Sequence, residues 1–246
     1  MKRFLNATAA VMLTIAVAFT LGCKPNEDPN NGGGDNGGNG NNDGGGLNSH
    51  EYVDMDLPSG TLWATCNVGA NAPEECGSYF SWGETSPKDS YSWSNYKYCY
   101  QVSTALTKYC FNANVGLNHF TDNLNTLELE DDAATINWGD DWRIPTEIEF
   151  QELKENTTSL WTIQNGMSGY LLTAINGNTL FLPATGYYSD QQNYLYVDGR
   201  YWTCNLSETS SAKSRCYIME GNGNFYPWQL ERRYGLSVRP VRSIHK

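Results

Sequence analysis

The segment from Asn30 to Gly46 consists of Asn, Gly and Asp, and it divides the 246-residue chain into parts that obey different constraints. Such a segment has no apolar side chains to bury, and its glycines keep the backbone flexible. We therefore expect residues 23–49 to form a tether. The fold must then be built from residues 50–246, which are enough for one compact domain with its own core.

Residues 1–22 have the pattern of a secretory signal peptide. Two basic residues, Lys2 and Arg3, precede an apolar stretch that is shorter than a membrane-spanning helix requires. The stretch ends on Gly22-Cys23, which resembles the lipobox of bacterial lipoproteins and implies cleavage before Cys23 and lipid attachment to it. An ordinary signal peptide followed by an incidental cysteine is the alternative.

The acidic pair Glu27-Asp28 resembles the export tag of surface lipoproteins of Bacteroidetes. Together with a lipidated Cys23, which would carry several acyl chains and so anchor stably, this resemblance implies a protein of the outer membrane. We expect the head to be held there by the lipid only and to face the cell exterior. The opposite orientation, towards the periplasm, stays open.

Helix signals occur at two places in the domain. Acidic residues precede Ala133-Ala134, where they meet the positive end of a helix dipole, and Gly139 suits the left-handed residue that ends a helix. A second helix is expected to begin at Thr146, because Glu149 stands three residues later and completes a capping box.

Strands are indicated by short β-prone runs between turn signals. Three dipeptides favour hairpin turns, whose central residues need positive φ: Asn165-Gly166, Asn176-Gly177 and Asp198-Gly199. The β-prone runs cover residues 50–57, 61–66, 170–175, 179–183 and 236–241. The pattern predicts an α+β domain with a terminal strand, two helices and a β-rich C-terminal half, and residues 77–120 as an irregular region.

Six sequence blocks follow one another in order between residues 50 and 242. They are Asp56–Ala64, Phe80–Thr85, Asp131–Thr146, Phe181–Ala184, Tyr201-Trp202 and Ser237–Val241. In this order they resemble the Fibrobacter succinogenes major paralogous domain family, which is similar in fold to C-type lectin-like domains, and more closely to the formylglycine-generating enzymes. The resemblance implies a C-type lectin-like fold with paired terminal strands, two helices and a β-rich C-terminal half. Fold alone does not decide between enzymes and binding proteins.

Six cysteines remain once Cys23 is set aside, and an even number in an exported domain indicates disulfides. Sequence neighbours suggest the pairs Cys66–Cys76, Cys99–Cys110 and Cys204–Cys216, although other connectivities stay open. The formylglycine-generating enzymes instead use two close, reduced cysteines that bind copper. Cys204 and Cys216 lack the surrounding motif, so a structural role is favoured over an oxidase, which is the first alternative function.

Other catalytic or metal-binding sets are not recognisable in the sequence. The three histidines, His50, His119 and His245, are scattered. The acidic run 128–132 offers the oxygen ligands that calcium prefers, but a helix first turn explains it better. We therefore predict no catalytic residue, no metal site and no cofactor. The lectin-like resemblance leaves calcium open, although the usual sugar-site motifs of that fold are absent.

Charge and aromatic residues are distributed unevenly along the domain. Residues 50–199 carry 5 basic and 20 acidic groups, whereas residues 200–246 carry 8 basic and 3 acidic groups. A net charge of −11 makes the chain a poor nucleic-acid binder.

Aromatic and Arg residues, which are enriched at binding hot spots, concentrate near the C-terminus. The candidate ligand-binding residues are Tyr217, Asn222, Asn224, Tyr226, Trp228, Gln229, Glu231 and Arg232. Trp202 is expected in the core, and Arg239 in a structural ion pair.

The sequence thus predicts a non-enzymatic, surface-anchored binding module for a glycan or protein ligand. A second alternative is a structural or fimbrial accessory protein with partners but no small ligand. Some lectin-like bacterial lipoproteins are diversified by retroelements just upstream of the terminal strand. That resemblance makes residues 203–234 a candidate diversified zone.

Overall fold

The computed structural model describes residues 50–243. The predicted signal peptide, the lipidation site Cys23, the tether and His245 lie outside the described residues. Within 50–243 the chain is mixed α+β and mostly β, with two α-helices, which confirms the predicted class. None of the helices in this range is long and apolar enough to cross a membrane.

The described part of the chain contains thirteen strands, two α-helices and three single-turn 3-10 helices, Trp93–Asn95, Leu117–His119 and Leu129–Asp131. The helices are α1 (Ala133–Trp138) and α2 (Glu147–Glu155). The strands are β1 (Tyr52–Asp54), β2 (Thr61–Ala64), β3 (Tyr79–Phe80), β4 (Thr157–Gln164), β5 (Met167–Ala174), β6 (Thr179–Pro183), β7 (Tyr187–Tyr188), β8 (Gln192–Asn193), β9 (Asp198–Leu206), β10 (Lys213–Glu220), β11 (Phe225–Glu231), β12 (Leu236–Ser237) and β13 (Val241–Ser243).

The two ends of the domain meet in a three-stranded sheet of order β1-β2-β13. The last strand lies antiparallel to β2, with Val241 opposite Trp63, and β1 pairs with the other edge of β2. Both residues of that central pair are fully buried. The chain termini of the domain are therefore fixed to each other through the core.

A five-stranded sheet of order β11-β10-β9-β12-β3 divides the core into two layers. One face packs against α2 and the sheet β4-β5-β6 through a cluster that includes Phe150, Tyr201 and Tyr217. The other face packs against α1 and the irregular segment after β3 through a cluster that includes Trp82 and Trp202. Trp202 thus lies in the core, as predicted.

Both predicted helix starts are confirmed. The Asp132 carboxylate caps α1 by accepting from the backbone N–H groups of Ala134 and Thr135, and Gly139, with φ of 100°, ends the helix. At α2, Thr146 Oγ1 accepts from the Glu149 N–H while the Glu149 carboxylate accepts from the Thr146 N–H. The short polar residues at these positions satisfy backbone donors that a helix start leaves free.

The turn predictions have mixed outcomes. Asn165 and Gly166 have φ of 48° and 85° and form the tight turn between β4 and β5. The prediction for Asp198-Gly199 is wrong, because both residues lie inside β9. Gly199 is needed there for space, since a Cβ atom would stand 2.9 Å from the carbonyl oxygen of Pro183.

The three predicted disulfides are not formed, and all six cysteines of residues 50–243 are free thiols. Cys216 lies opposite Trp202, so Cys204 is displaced along β9 from the position that faces it. The thiol of Cys99 donates instead to the carbonyl oxygen of Trp93, and that of Cys110 to the carbonyl oxygen of Asn112.

Arg239 is buried without the predicted ion pair. Its guanidinium donates to Asn67 Oδ1 at 2.8 Å and to the carbonyl oxygens of Ala64 and Thr65 at 3.1 and 2.6 Å. Burial lowers the pKa of this guanidinium. Arg239 therefore joins the C-terminal strand region to β2 through carbonyl oxygens, and no carboxylate within 50–243 pairs with it.

Candidate functional site

The register of β9, β10 and β11 places two predicted binding residues, Tyr226 and Trp228, on one face of the sheet. Arg200 lies opposite Ile218, which lies opposite Tyr226. Cys216 lies opposite Trp228 in the next row of the same face. Side chains alternate between the two faces of a strand, so these residues share the α1 side of the sheet. We call the surface formed by Tyr187, Tyr194, Arg200, Tyr226 and Trp228 the aromatic face.

Trp228 is the exposed ring of this surface. It stands on β11, the edge strand of the sheet, and 52% of it is exposed. Its ring meets the Tyr226 ring edge to face, with centroids 6.2 Å apart. Since Tyr226 is packed against the core cluster, the tryptophan is supported from one side and open to solvent on the other.

The hairpin tip between β10 and β11 fixes a carboxylate beside Tyr226. The Tyr226 hydroxyl donates to Glu220 Oε1 at 2.9 Å. Asn224 Nδ2 and Asn222 Nδ2 donate to Glu220 Oε2 at 3.0 and 3.2 Å. These donors lower the pKa of Glu220, and the hydrogen bond from Asn224 has the largest effect. The Glu220 carboxylate is therefore ionised at neutral pH. Two predicted residues, Asn222 and Asn224, thus act together as amide ligands of a glutamate.

Arg200 lies against two tyrosine rings. Its guanidinium carbon lies 4.3 Å from the ring centre of Tyr187 and 4.9 Å from that of Tyr194, and the two rings are nearly parallel. Asp198 fixes the guanidinium from the side, with Nε–Oδ1 and Nη2–Oδ2 distances of 3.0 and 2.8 Å. Both tyrosines escaped the sequence prediction, although the density of Tyr in 187–196 was a usable signal.

Two predicted ligand-binding residues are wrong because they belong to the core. Tyr217 is buried on the opposite face of the sheet, where it stacks on Phe150 with ring centroids 5.0 Å apart. Arg232 is fully buried, and its donors reach the Tyr96 hydroxyl and backbone carbonyl oxygens. Neither side chain is available to a ligand in this structure.

Gln229 and Glu231 also lie apart from the aromatic face. Alternation along β11 turns Gln229 to the α2 side, whereas Glu231 ends the strand beside Arg233 and Tyr234. The Gln229 side-chain oxygen accepts from the hydroxyls of Ser207 and Thr209 at 2.5 and 3.0 Å. Glu231 forms an ion pair with Arg233 at 2.7 Å. Both side chains hold neighbouring loops together.

The acidic run before α1 gathers around a lysine. The ammonium group of Lys108 lies 2.5 Å from Glu128, 3.1 Å from Glu130 and 2.7 Å from Asp131. These three carboxylates are the group within 50–243 whose spacing would suit a metal ion. Because the ammonium already occupies the space among them, the arrangement is explained as a structural ion-pair cluster.

Two cavities lie away from the aromatic face. A groove of about 330 Å³ runs past the start of α2, where Arg215 and Glu147 form an ion pair at 2.6 Å. A smaller cavity of about 220 Å³ lies beside His50, whose ring stacks on Trp138. In both places the polar and aromatic groups are largely satisfied by one another. The aromatic face, by contrast, leaves Trp228 open, and we take it as the candidate site.

The aromatic face combines an apolar ring with fixed polar groups. The exposed Trp228 ring offers an apolar plane, and the tip of the β10–β11 hairpin offers amide and carboxylate oxygens close by. Planar aromatic surfaces next to fixed polar groups are typical of sites that bind sugar rings or protein side chains.

Comparison of the chain with family models, with curated proteins and with solved structures finds no match.

Proposed function

We propose that the chain is a surface lipoprotein whose head is a C-type lectin-like, non-enzymatic binding module. The ligand, a glycan or a protein, is held on the aromatic face. The observation that carries this proposal is the exposed ring of Trp228, supported edge-on by Tyr226 beside an immobilised Glu220.

The lectin-like assignment rests on the six sequence blocks and on agreement with the observed architecture. The terminal strand β13 lies beside β2, two helices follow the irregular segment, and the C-terminal half is β-rich. In the block that resembles a helix start, Arg143 pairs with Glu149 at 2.5 Å and thereby ties the segment before α2 to its first turn.

The non-enzymatic assignment is supported by the chemistry of the late cysteines. Burial raises the pKa of the Cys204 thiol to about 12, and burial also raises the pKa of Cys216. Thiols held protonated in this way are poor nucleophiles. Cys204 is also displaced along β9 from the position opposite Cys216, so the two residues are not a facing pair. Cys204 and Cys216 also contribute to the hydrophobic core.

The attachment assignment rests on the sequence of residues 1–28, with Cys23 as the lipid carrier. We propose that the head faces the exterior of the cell from the outer membrane. Protease treatment of intact cells tests this, because an exterior head is removed while a periplasmic head is protected.

Arrays of glycans and of surface proteins test the binding function directly. The probe is the protein from Lys24 onward, which retains every residue that the structure describes. We expect binding that is lost when Tyr226 and Trp228 are both replaced by Ala. Tyr100→Ala is the control, because Tyr100 is a solvent-exposed aromatic residue that lies outside the aromatic face. Binding that survives the double replacement would refute the site.

A further inference from the structure

Strand β4 forms an open edge of the sheet β4-β5-β6. It pairs with β5 in an unbroken register, from Thr157 opposite Ala174 to Gln164 opposite Met167. No strand within residues 50–243 pairs with its other side. Eight residues make it a long edge for a sheet of this size.

The backbone groups on that open side can be identified from the hydrogen bonds of β5. The Ala174 N–H donates to Asn178, and the Ser168 carbonyl oxygen accepts from Ala184, so both residues of β5 turn away from β4. Their partners on β4, Thr157 and Ile163, are therefore non-hydrogen-bonded pairs. By alternation, residues 157, 159, 161 and 163 direct their N–H and C=O groups to the open side.

Two other edge strands, β1 and β11, carry features that block pairing. The edge strand β1 is only three residues long and ends on Asp54. The edge strand β11 contains Pro227, which has no N–H to donate, and ends on Glu231. Charges, prolines and short length are the usual means by which proteins protect sheet edges.

Strand β4 has none of these protections. Its sequence, Thr-Thr-Ser-Leu-Trp-Thr-Ile-Gln, contains neither a charged residue nor a proline. Leu160 and Ile163 are 62% and 68% exposed. An edge that is long, regular and uncharged, with two exposed aliphatic side chains, is suited to accept another strand.

We propose that β4 pairs antiparallel with β4 of a second copy of this chain. Pairing about Leu160 places Ser159 opposite Trp161 of the other copy and Thr157 opposite Ile163. This register matches the outward groups of the two strands and forms about eight backbone hydrogen bonds. In this register no charged residue of one strand lies opposite a residue of the other, and the two exposed Leu160 side chains lie next to each other.

Self-pairing must overcome the acidic character of the domain. Residues 50–199 carry 5 basic and 20 acidic groups, so two copies repel each other at long range. Salt screens this repulsion without affecting backbone hydrogen bonds between neutral strands. The dimer is therefore expected to become tighter as the salt concentration rises.

Sedimentation velocity of the protein from Lys24 onward tests the proposal across a concentration series at low and high salt. We expect a concentration-dependent dimer, and Leu160→Lys is expected to weaken it at least about tenfold by setting two cations opposite each other. The matched control is Ile148→Lys, because Ile148 is 76% exposed on α2 and lies outside β4. This control should leave the dimer unchanged.

Amide hydrogen exchange identifies the interface independently of any variant. The N–H groups of Ser159, Trp161 and Ile163 should exchange more slowly as the wild-type protein is concentrated. A wild-type protein that stays monomeric at all concentrations overturns the proposal, whether or not another protein's strand binds there. A dimer that resists Leu160→Lys and leaves these three amides unprotected also overturns it.

Discussion

The guanidinium of Arg232 donates from Nε to the hydroxyl of Tyr96 at 2.9 Å, in the interior of the domain. Its Nη1 donates to the carbonyl oxygens of Tyr109 and Ser211 at 2.9 and 2.8 Å, and its Nη2 to that of Lys108 at 3.0 Å. Buried polar groups are costly unless they are paired in this way. Arg232 therefore joins the irregular segment to the last sheet strands, and its charge does not mark a ligand site.

Replacing Arg232 by Ala is expected to lower the free energy of unfolding by about 3–5 kcal/mol, because it leaves buried carbonyl oxygens unpaired and opens a cavity. Urea unfolding measures the change. Lys213→Ala is the control, since Lys213 is partly exposed and has no ion pair among the described residues. Equal effects of the two replacements would contradict the structural role of Arg232.

Replacing Trp228 by Ala is expected to change the free energy of unfolding by less than about 1 kcal/mol, because half of the ring is already in solvent. Phe225→Ala on the same strand should cost about 3–5 kcal/mol, since Phe225 is buried in the α2-side cluster. The comparison separates a surface ring from a core ring within β11. A strongly destabilised Trp228→Ala protein would mean that the ring packs rather than binds.

The ion pair between Arg143 and Glu149 predicts a pH dependence of stability. Burial opposes ionisation of Glu149, but the Arg143 guanidinium and the Thr146 backbone outweigh it and hold the pKa of Glu149 below its usual 4.5. A carboxylate with a lowered folded-state pKa contributes stability above its unfolded-state pKa and loses it as the pH falls through the folded-state pKa.

Glu149→Gln is therefore expected to cost about 1–3 kcal/mol at neutral pH, and the difference from the wild type should shrink below pH 4.5. Urea unfolding at several pH values measures this difference directly. Other carboxylates, such as Asp131, are present in both proteins, so their contributions cancel in the difference between the two free energies of unfolding. A difference that stays constant down to acid pH would contradict the contribution of the ionised pair.

Thiol reactivity distinguishes the structure from the oxidase alternative. Cys66, Cys76 and Cys99 are half-buried, whereas Cys204 and Cys216 are buried. Burial raises the pKa of Cys76 and Cys99 as well as that of Cys204 and Cys216, so the access of the reagent sets the order of reaction. Iodoacetamide should therefore modify the first three well before the last two, which react only after unfolding. Peptide mapping by mass spectrometry gives the order. Early modification of Cys204 and Cys216 in the native protein would favour a reactive pair.

The sequence predicts features that depend on local chemistry and misses those that depend on packing. The caps at Asp132 and Thr146 follow from short-range hydrogen bonding, so both helix starts are right. Tyr217 and Trp228 are both aromatic residues in strands of the C-terminal half, and only the sheet shows that one faces Phe150 and the other faces solvent. Burial depends on what packs across the sheet, which residue type alone does not encode.

Gly199 shows the same limit at a single position. The dipeptide Asp-Gly favours a turn, yet here it forms the first two residues of β9, and the glycine allows the chain to pass Pro183 and Met219 closely.

Gly199→Ala is expected to lower the free energy of unfolding by about 1–3 kcal/mol, because the added methyl group overpacks this site. The flexible Met219 side chain can move aside, but the Pro183 carbonyl oxygen, 2.9 Å from the added carbon, cannot. The cost of Gly199→Ala should therefore persist when it is measured in a Met219→Ala background, as thermal unfolding of the two single variants and the double variant would reveal. A cost that disappears in that background would assign the close contact to the methionine alone.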